Sequence, residues 1–266
     1  MMRALWTAAS GMNAQQMNVD VISNNLANVN TTAYKKERIE FKDLLYETMD
    51  RARVLAEGGR PVNLQVGHGT MAVATVRDFE KGSPEETGNP LDFYIDGDAF
   101  FMVQGPSGDI NYTRDGSFKI SLTDMGKMLT TSDGYAVLDE AGTPIIIDVD
   151  LSDLQVSQNG ELSYIDEEGL SVPTGQVLGL AYFENRNGLE AMGRNLYKAT
   201  QAAGEPVLAL DSTQVSLVMQ NFIESSNVKT VEEMVKLIVA QRAYELNSKA
   251  IQSSDEMLGI ANNLRR

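Results

Sequence analysis

Residues 237–261, LIVAQRAYELNSKAIQSSDEMLGIA, carry the repeat that decides the fold. Every seventh residue is apolar in one series, and small or an amide in a second series. A repeat of seven residues with two such positions is typical of helices that pack along one another at a shallow angle. We therefore predict a long helix over 230–266, with Thr230 as N-cap and Glu233 in a capping box. The two series are Leu237, Tyr244, Ile251 and Leu258, and then Ala240, Asn247, Ser254 and Ala261.

The N-terminus carries a similar stripe. From Leu5 to Val29, apolar residues recur on alternating three- and four-residue steps, with only Gln15 off the pattern, which predicts a helix over 1–33. We interpret the two stripes as an assembly seam between copies of the chain. The alternative is that each helix packs only on its own domain. The predicted seam residues are Leu5, Met12, Val19, Ile22, Leu26, Val29, Leu237, Tyr244, Ile251 and Leu258.

The N-terminal helix is almost uncharged. Residues 1–34 hold only Arg3 and Asp20, although 22% of the whole chain is charged. Its polar face consists of Asn, Gln, Ser and Thr, which can be enclosed at lower cost than charges when they are hydrogen-bonded. Gly11 and the five asparagines before residue 29 cost roughly 4 kcal/mol relative to alanine. The sequence therefore predicts a helix that is marginal alone and becomes firm when it is surrounded.

Composition restricts the function classes. The 266 residues are 42% apolar with a mean hydropathy of −0.22, which is ordinary for a globular protein with a sizeable core. A net charge of −15 makes nucleic acid and anionic lipid poor partners. There is no cysteine, and no apolar run approaches the ~20 residues of a membrane span. The broken apolar pattern of residues 5–16 also predicts no cleaved signal peptide.

The middle of the chain switches to short strands separated by turns such as Asp96-Gly97-Asp98, Asp115-Gly116 and Asn159-Gly160. Strands at this spacing predict a mainly antiparallel β domain inserted between the helices, and therefore an α+β fold with a coiled-coil-like helical core. The predicted strands are 71–79, 92–95, 100–103, 118–120, 135–138, 145–149, 176–183 and 215–223. The predicted parts are a core helix (1–33), an extended connector with a short helix (34–70), the β domain (71–210), a return segment (211–229) and a second core helix (230–266).

The sequence predicts no site for enzyme chemistry. His68 is the only histidine and lies between two glycines, so we expect a turn residue rather than a catalytic base. The segment 148–153 resembles a calcium loop, but it has Asp153 where such a loop needs glycine. Asp96 and Asp98 flank Gly97 and are expected to form a turn. No catalytic, metal or cofactor residue is therefore predicted. A membrane-surface helix is also disfavoured, because residues 1–34 contain a single basic residue before Lys35.

Three separated motifs identify a family. Residues 23–31, SNNLANVNT, with Tyr34 and Lys35, resemble the N-terminal signature of bacterial flagellar rod and hook proteins. Residues 224–228, ESSNV, and 241–249, QRAYELNSK, resemble their C-terminal motif, and 112–118, YTRDGSF, resembles a central one. The length and the single β insertion are closest to the distal rod members. The motif residues are Asn24, Asn25, Asn28, Tyr34, Lys35, Ser226, Asn227, Gln241, Arg242 and Lys249.

The resemblance implies a structural role. Its members are exported by the flagellar type III apparatus without a cleaved signal, and they polymerise into a hollow helical tube. We expect a rigid periplasmic drive shaft that crosses the peptidoglycan in the basal body, with the end helices innermost. The implied partners are other copies, proximal rod subunits, hook subunits and surrounding ring proteins. Residues 46–66 correspond to a segment associated with rod stiffness. The alternatives are a proximal rod or hook-type subunit and, in another class, a peptidoglycan-binding or peptidoglycan-hydrolysing β domain.

Two positions depart from the family pattern. Ala33 and Asn221 stand where glycine is common. Asparagine tolerates a positive φ better than alanine does, so Asn221 is the easier replacement. At Ala33 we expect a slightly different backbone rather than a left-handed alanine.

Overall fold

A computed structural model describes residues 2–50, 63–123, 126–147, 154–166, 170–209 and 216–263. It confirms an α+β protein with one helix at each end and mainly antiparallel strands between them. The chain folds into two compact units. Unit 1 comprises Met1–Ala27, Glu37–Arg77 and Lys229–Arg266, and unit 2 comprises Asn28–Lys36 and Asp78–Val228. Within the described residues, no helix is long and apolar enough to cross a membrane.

Unit 1 combines the two terminal helices with two pairs of strands. Helix α1 spans Met2–Ala27 and α2 spans Thr230–Asn263. Strand β1 pairs with β4 and β2 with β3, all antiparallel, so the chain runs out and returns beside itself. The bounds are β1 Glu37–Asp43, β2 Tyr46–Asp50, β3 Leu64–Gly67 and β4 Thr70–Arg77.

The predicted short helix within 34–70 is wrong for the described part of that segment. Leu44 and Leu45 lie in neither a helix nor a strand, and Tyr46 begins β2. The backbone groups of this region are satisfied across the strands instead, as in the bond from Leu44 N–H to Gly69 O at 2.9 Å. Residues 51–62, which contain most of the predicted stiffness segment, lie outside the described residues.

Unit 2 contains the remaining strands. A six-stranded antiparallel sheet has the order β15-β16-β8-β7-β14-β17, beside a three-stranded sheet β11-β12-β13 and the pairs β9–β10, β6–β18 and β5–β19. The bounds are β5 Pro84–Glu86, β6 Phe93–Asp96, β7 Phe100–Gln104, β8 Ile110–Thr113, β9 Lys119–Thr123, β10 Gly126–Thr130, β11 Leu154–Val156, β12 Glu161–Ile165, β13 Ser171–Val177, β14 Leu180–Tyr182, β15 Glu190–Gly193, β16 Leu196–Lys198, β17 Val207–Leu208, β18 Leu217–Gln220 and β19 Phe222–Glu224.

Both faces of strand β7 are buried, and the strand lies between β8 and β14 in the six-stranded sheet of unit 2. Successive side chains of a strand point to opposite faces. Phe101 and Val103 join a large aliphatic and aromatic cluster, and Phe100 and Met102 join a second cluster on the other face. In the second cluster Phe100 makes edge-to-face contacts with aromatic neighbours, including Phe79 at 5.5 Å between ring centroids. Such pairs add roughly 0.5–1.5 kcal/mol beyond area burial.

Four of the eight predicted strands are present with shifted ends, as β4, β6, β7 and β9, and the predicted strand 215–223 is divided into β18 and β19. Eight strands of unit 2 were not predicted: β5, β8, β10, β11, β12, β15, β16 and β17. The predicted strand 176–183 is wrong as one element, because β13 ends at Val177 and β14 begins at Leu180. A Cβ on Gly179 would lie 2.6 Å from Leu138 O, so the backbone approaches a neighbouring segment at the break. Within the predicted strand 135–138, Ala136, Val137 and Leu138 form isolated bridges, and within 145–147 only Ile146 forms one. The ends of the predicted strands 145–149 and 215–223 lie partly outside the described residues.

Candidate assembly site

The two terminal helices pack on one another within unit 1. The Asn25 carboxamide lies 3.4 Å from Glu233 Oε2, and a Cβ on Gly11 would lie 2.9 Å from the Asn247 carboxamide nitrogen. Residue numbers rise along α1 as those of their neighbours fall along α2, so the helices are antiparallel. The absence of a side chain at Gly11 thus permits a close approach of the two helices.

The predicted seam of α2 is the less exposed side of that helix. Ala240 and Ser254 are buried, while Leu237, Ile251 and Leu258 are half-buried. Tyr244 remains 39% exposed and lines a cleft with Val19 of α1. The seam of α2 therefore faces α1 of the same chain. Whether the same residues also contact other copies stays a prediction.

The predicted seam of α1 is similarly placed. Ile22 is buried, and Leu5, Met12, Val19 and Leu26 are half-buried. Val29 follows the end of α1 at Ala27 and belongs to unit 2, so it is not part of the helix pair.

A second apolar face on α2 was missed by the sequence reasoning. Five aliphatic residues in the first half of α2, here named the outer face, are 55–75% exposed. At about 100° per residue, they cluster on the side of the helix opposite the seam. The signal was available, because the pairs 231/238 and 239/246 are also seven residues apart, offset from the seam. The outer face consists of Val231, Val235, Ile238, Val239 and Leu246.

Asn25 is the buried polar centre of unit 1. Its carboxamide nitrogen donates to Glu37 O at 2.7 Å, and its carboxamide oxygen accepts from Glu37 N–H at 2.9 Å. The side chain is 1% exposed and also reaches the Glu233 carboxylate, which accepts from Lys236 at 2.6 Å. One motif asparagine thus joins α1, β1 and α2, because an amide can donate and accept without introducing charge.

A buried ionic cluster lies in unit 2. The Glu224 carboxylate accepts from Lys35 Nζ at 2.6 Å, from Arg114 Nε at 3.1 Å and from Gly82 N–H at 2.8 Å. The three charged side chains are at most 3% exposed. Lys35 also donates to Glu80 O, and Arg114 to Gly97 O and Ala99 O. These three residues are named the Glu224 cluster; they come from three distant stretches of sequence.

In the Glu224 cluster, burial and the neighbouring charges shift the pKa values of Lys35 and Glu224 in opposite directions. Burial lowers the pKa of Lys35 to about 8, although the Glu224 carboxylate opposes the change. Burial alone would raise the pKa of Glu224, but the charges of Arg114 and Lys35 together hold that pKa below its usual value. Below a pH of about 8, a charged Lys35 therefore lies beside a charged Glu224.

The Asn227 side chain hydrogen-bonds to two other segments of unit 2. Its carboxamide oxygen accepts from Lys36 N–H at 2.8 Å, and its carboxamide nitrogen donates to Asp78 O at 2.8 Å. Its own N–H donates to Tyr34 O, and the Ser226 hydroxyl accepts from Val228 N–H. The segment 28–36 and the segment 224–228 are thereby joined to the start of the 78–228 segment.

Ala33 and Asn221 both adopt the left-handed conformation, with φ of 54° and 69°. The expectation of a different backbone at Ala33 is therefore wrong. Ala33 is 1% exposed, and its N–H donates to Glu224 O at 2.7 Å, so the turn is fixed by this bond. A left-handed alanine costs roughly 1–2 kcal/mol, which the surrounding contacts must offset. Asn221 separates β18 from β19, as expected of an asparagine in that conformation.

The other motif residues do not form one constellation. The Asn28 carboxamide accepts from the Thr31 hydroxyl, while Asn24 is exposed on α1. Gln241 lines the cleft with Val19, and the remaining two are exposed on α2. These last two are Arg242, which pairs with Glu245, and Lys249.

The residues considered for chemistry are dispersed. His68 Nδ1 lies 3.0 Å from Leu45 O, and Asp96 and Asp98 pair with Lys81 and Arg186. Across the described ranges, no group of three or more His, Cys, Asp or Glu side chains is placed to hold a metal ion. The predicted resemblance of 148–153 to a calcium loop lies outside the described residues.

Three family models match the chain. "Flagella basal body rod protein" covers residues 5–35, "Flagellar hook protein FlgE/F/G D1 domain" covers 94–164, and "Flagellar basal body rod FlgEFG protein C-terminal" covers 219–264. Their matched ranges contain α1, the central motif and α2, in that order.

Full-length relatives agree with the family models. The "Flagellar basal-body rod protein FlgG" of Borreliella burgdorferi is 48% identical, with 100% of each chain covered. The proteins of the same name from Caulobacter vibrioides and Bacillus subtilis are 44% and 36% identical, covering 99% and 100% of this chain and all of each relative. The Helicobacter pylori hook protein FlgE2 structure is similar at 11% identity and a TM-score of 0.25, over 62% of this chain and 47% of that one.

Proposed function

This chain belongs to the flagellar basal-body rod protein FlgG family, and from that membership we propose that it is a structural subunit of the flagellar distal rod. Copies polymerise helically into a hollow, rigid drive shaft that transmits torque from the motor to the hook. The family is structural rather than enzymatic. The protein acts in the basal body, where the rod crosses the periplasm and the peptidoglycan.

The observation that carries this proposal is the pairing of α1 and α2. Both helices bury a narrow stripe on one another, yet α2 leaves five aliphatic residues exposed on its outer face. A helix that is apolar on two opposite sides requires a second packing partner. Repetition of such a contact from copy to copy generates a filament rather than a closed oligomer. The helix pair then acts as a coiled-coil-like core domain, with the β-rich part inserted between its helices.

The partners follow from the same role. We propose contacts with other copies, with proximal rod subunits below and hook subunits above, and with the ring proteins that surround the rod. The chain reaches its place through the flagellar type III export apparatus, which suits end helices that are weak alone and firm when packed. Neither nucleic acid nor membrane insertion has a place in this scheme.

The test is complementation of a bacterium that lacks its own copy of this protein. Chains with Ile251→Asp or Leu26→Asp should be exported and should retain a folded unit 2, yet should give no rod beyond the proximal part. Electron cryomicroscopy of purified basal bodies would show the truncated axis. A complete rod and normal swimming with both substitutions present would contradict the proposal.

A peptidoglycan-binding β domain is the rival from another class. Such a domain would retain affinity for isolated sacculi after both end helices were removed. A rod subunit would lose assembly under the same change and would show no such affinity. Cosedimentation of the shortened chain with sacculi separates the two, and near-ultraviolet circular dichroism would first establish that its β part is folded.

A further inference from the structure

Residues 28–36, here named the strap, belong to unit 2 but are separated in sequence from the rest of it. The remaining segment 78–228, here named the body, follows only after β1–β4 of unit 1. The strap lies wholly within the described residues, and neither apolar cluster of unit 2 includes any of its members. It also contributes no strand to the described sheets. The body therefore has its sheets and both apolar clusters without the strap.

Hydrogen bonds and charge, rather than buried apolar area, hold the strap on the body. Within the strap only Ala33 and Lys35 are buried, and the other side chains are half-buried or exposed. Five hydrogen bonds of the strap backbone reach residues 78, 195, 224 and 227 of the body, and water replaces such bonds at a modest net cost when the strap leaves. These bonds run from Ala33 N–H to Glu224 O, Asn227 N–H to Tyr34 O, Asn195 Nδ2 to Thr32 O, Lys36 N–H to Asn227 Oδ1 and Asp78 N–H to Lys36 O, at distances of 2.7, 3.3, 3.0, 2.8 and 2.9 Å.

The Glu224 cluster is already balanced in charge before the strap contributes to it. In the body, the buried Arg114 and Glu224 pair at 3.1 Å, and Gly82 N–H also donates to the Glu224 carboxylate. A docked, charged Lys35 brings a second cation beside that single carboxylate. Burial and the Arg114 charge disfavour this cation while Glu224 favours it, and together they lower the pKa of Lys35 from 10.5 to about 8.

Two further titratable groups face the cluster from other parts of the body. Asp78 precedes β5 and favours the charged form of Lys35. Tyr94 lies in β6 with its hydroxyl 3.5 Å from Gly82 O, and burial raises the pKa of this tyrosine. Because the pKa of Glu224 is lowered and that of Tyr94 is raised, Lys35 is the group of this site whose titration falls near pH 8.

We propose that the strap docks reversibly on an already folded body, and that loss of the Lys35 proton strengthens this docking. The inference goes beyond the proposed function, because it concerns a single molecule in solution. A released Lys35 is surrounded by water and has the usual pKa of a lysine, so docking above pH 8 expels a proton. A group whose pKa is lower in the docked state favours docking increasingly as pH rises through that lower value. With a pKa of about 8 when docked and 10.5 when released, the docking equilibrium constant should rise about tenfold between pH 7 and pH 9.

Hydrogen exchange of the full-length protein, followed by mass spectrometry, separates release of the strap from unfolding of the body. Ala33 N–H and Lys36 N–H report on the strap, and Val137 N–H, which donates to Leu129 O at 2.9 Å, reports on the body. Each exchange rate is divided into the intrinsic rate at the same pH, which gives a protection factor. The strap amides should be protected at least about a hundredfold less than the body amide, because they open without the body. Their protection should rise about tenfold from pH 7 to pH 9.

Two variants of the strap test the role of the proton. Lys35→Met removes the titrating group, so its strap protection should be the same at pH 7 and pH 9. Lys36→Met is the matched control, since it makes the same change at the next residue, whose partly exposed ammonium pairs with Asp78 at 3.2 Å. The control should keep the tenfold rise of the wild type. Near-ultraviolet circular dichroism checks that the body is folded in both variants.

The outcomes separate this inference from the rod function. Equal protection of strap and body amides in the wild type would show that the strap does not leave by itself, and the inference would be wrong. A strap that leaves first but whose protection does not change with pH, or a rise that persists in Lys35→Met, would overturn the role of the proton. Neither result affects the rod function, which the complementation experiment tests independently.

Discussion

Unit 1 and unit 2 are stabilised in different ways. Unit 2 buries two apolar clusters around β7, and at its polar centre three ionised side chains are paired out of water. Unit 1 uses a neutral amide, Asn25, as its buried polar centre and leaves apolar residues of α2 exposed. Unit 2 has 25 acidic and 9 basic residues, a net charge of −16, whereas unit 1 has 12 acidic and 13 basic residues, a net charge of +1. This difference supports the proposal that unit 1 is the part that contacts another copy of the chain.

The largest expected effect is the loss of stability when the Glu224 cluster of unit 2 is disrupted. Glu224→Gln leaves Lys35 and Arg114 buried without a counter-charge, and removing one partner of a buried ion pair costs about 3–5 kcal/mol. Lys35→Met should cost less, because Glu224 keeps Arg114 and the Gly82 N–H. Urea unfolding followed by near-ultraviolet circular dichroism measures both. Equal stability of Glu224→Gln and the exposed control Glu85→Gln would refute a structural role for the cluster.

The corresponding change in unit 1 should be smaller. Asn25→Ala removes the side-chain partner of Glu37 N–H and Glu37 O, and each buried group left unpaired costs about 1–3 kcal/mol. The variant also removes the Asn25 contact with the buried Glu233 carboxylate, but Glu233 keeps its partner Lys236, so the loss should be below that of Glu224→Gln. Unfolding monitored by far-ultraviolet circular dichroism reports on unit 1, which holds both long helices. Gln252→Ala, on an exposed part of α2, should change stability by less than about 0.5 kcal/mol.

The pH dependence of stability should come mainly from unit 2, because Lys35 and Glu224, whose pKa values are shifted, both lie there. The pKa of Glu224 is lowered, so its stabilising contribution is present above the usual value of 4.5 and is lost as pH falls below it. The pKa of Lys35 is lowered from 10.5 to about 8, so the unfolded chain binds its proton more tightly. The contribution of Lys35 to stability therefore rises with pH between about 8 and 10.5.

Denaturant titrations of wild type and Lys35→Met across this range measure the Lys35 contribution by difference. The wild type should gain relative to the variant as pH rises, since the variant lacks the titrating group. The same titration of Lys249→Met, at an exposed position of α2, should show no such gain. A constant difference between wild type and Lys35→Met from pH 7 to pH 11 would show that burial of Lys35 does not perturb its pKa.

The smallest expected effect concerns the backbone. Ala33→Gly relieves a left-handed alanine and should stabilise unit 2 by up to about 1 kcal/mol, partly offset by the greater freedom of glycine in the unfolded chain. Ala181→Gly, in strand β14, should instead destabilise by roughly 0.5–1 kcal/mol. Thermal unfolding compares the two. Loss of stability in both would show that the φ of Ala33 carries no strain.

The spacing of apolar residues was the reliable sequence signal for secondary-structure elements. The seven-residue series predicted α2, and alternation with turn residues predicted β6, β7 and β9 of unit 2 but missed more than half of its strands. The failures have physical reasons. Leu44-Leu45-Tyr46 has no period of its own, so its pairing with a later strand could not be foreseen. Ala33 is left-handed because Glu224 O fixes its N–H, a contact across 191 positions of sequence that no local propensity reports.

The sequence by itself determined the helices, the antiparallel character of the strands and the family, because these depend on local spacing and on motifs that stand in order. It also fixed the total charge of −15. Only the tertiary structure decided how that charge is divided between the units, and which side of α2 the first helix covers. It likewise brought Lys35, Arg114 and Glu224 together. Each of these depends on which distant segments pack together, since burial and pairing are properties of the folded chain rather than of its local pattern.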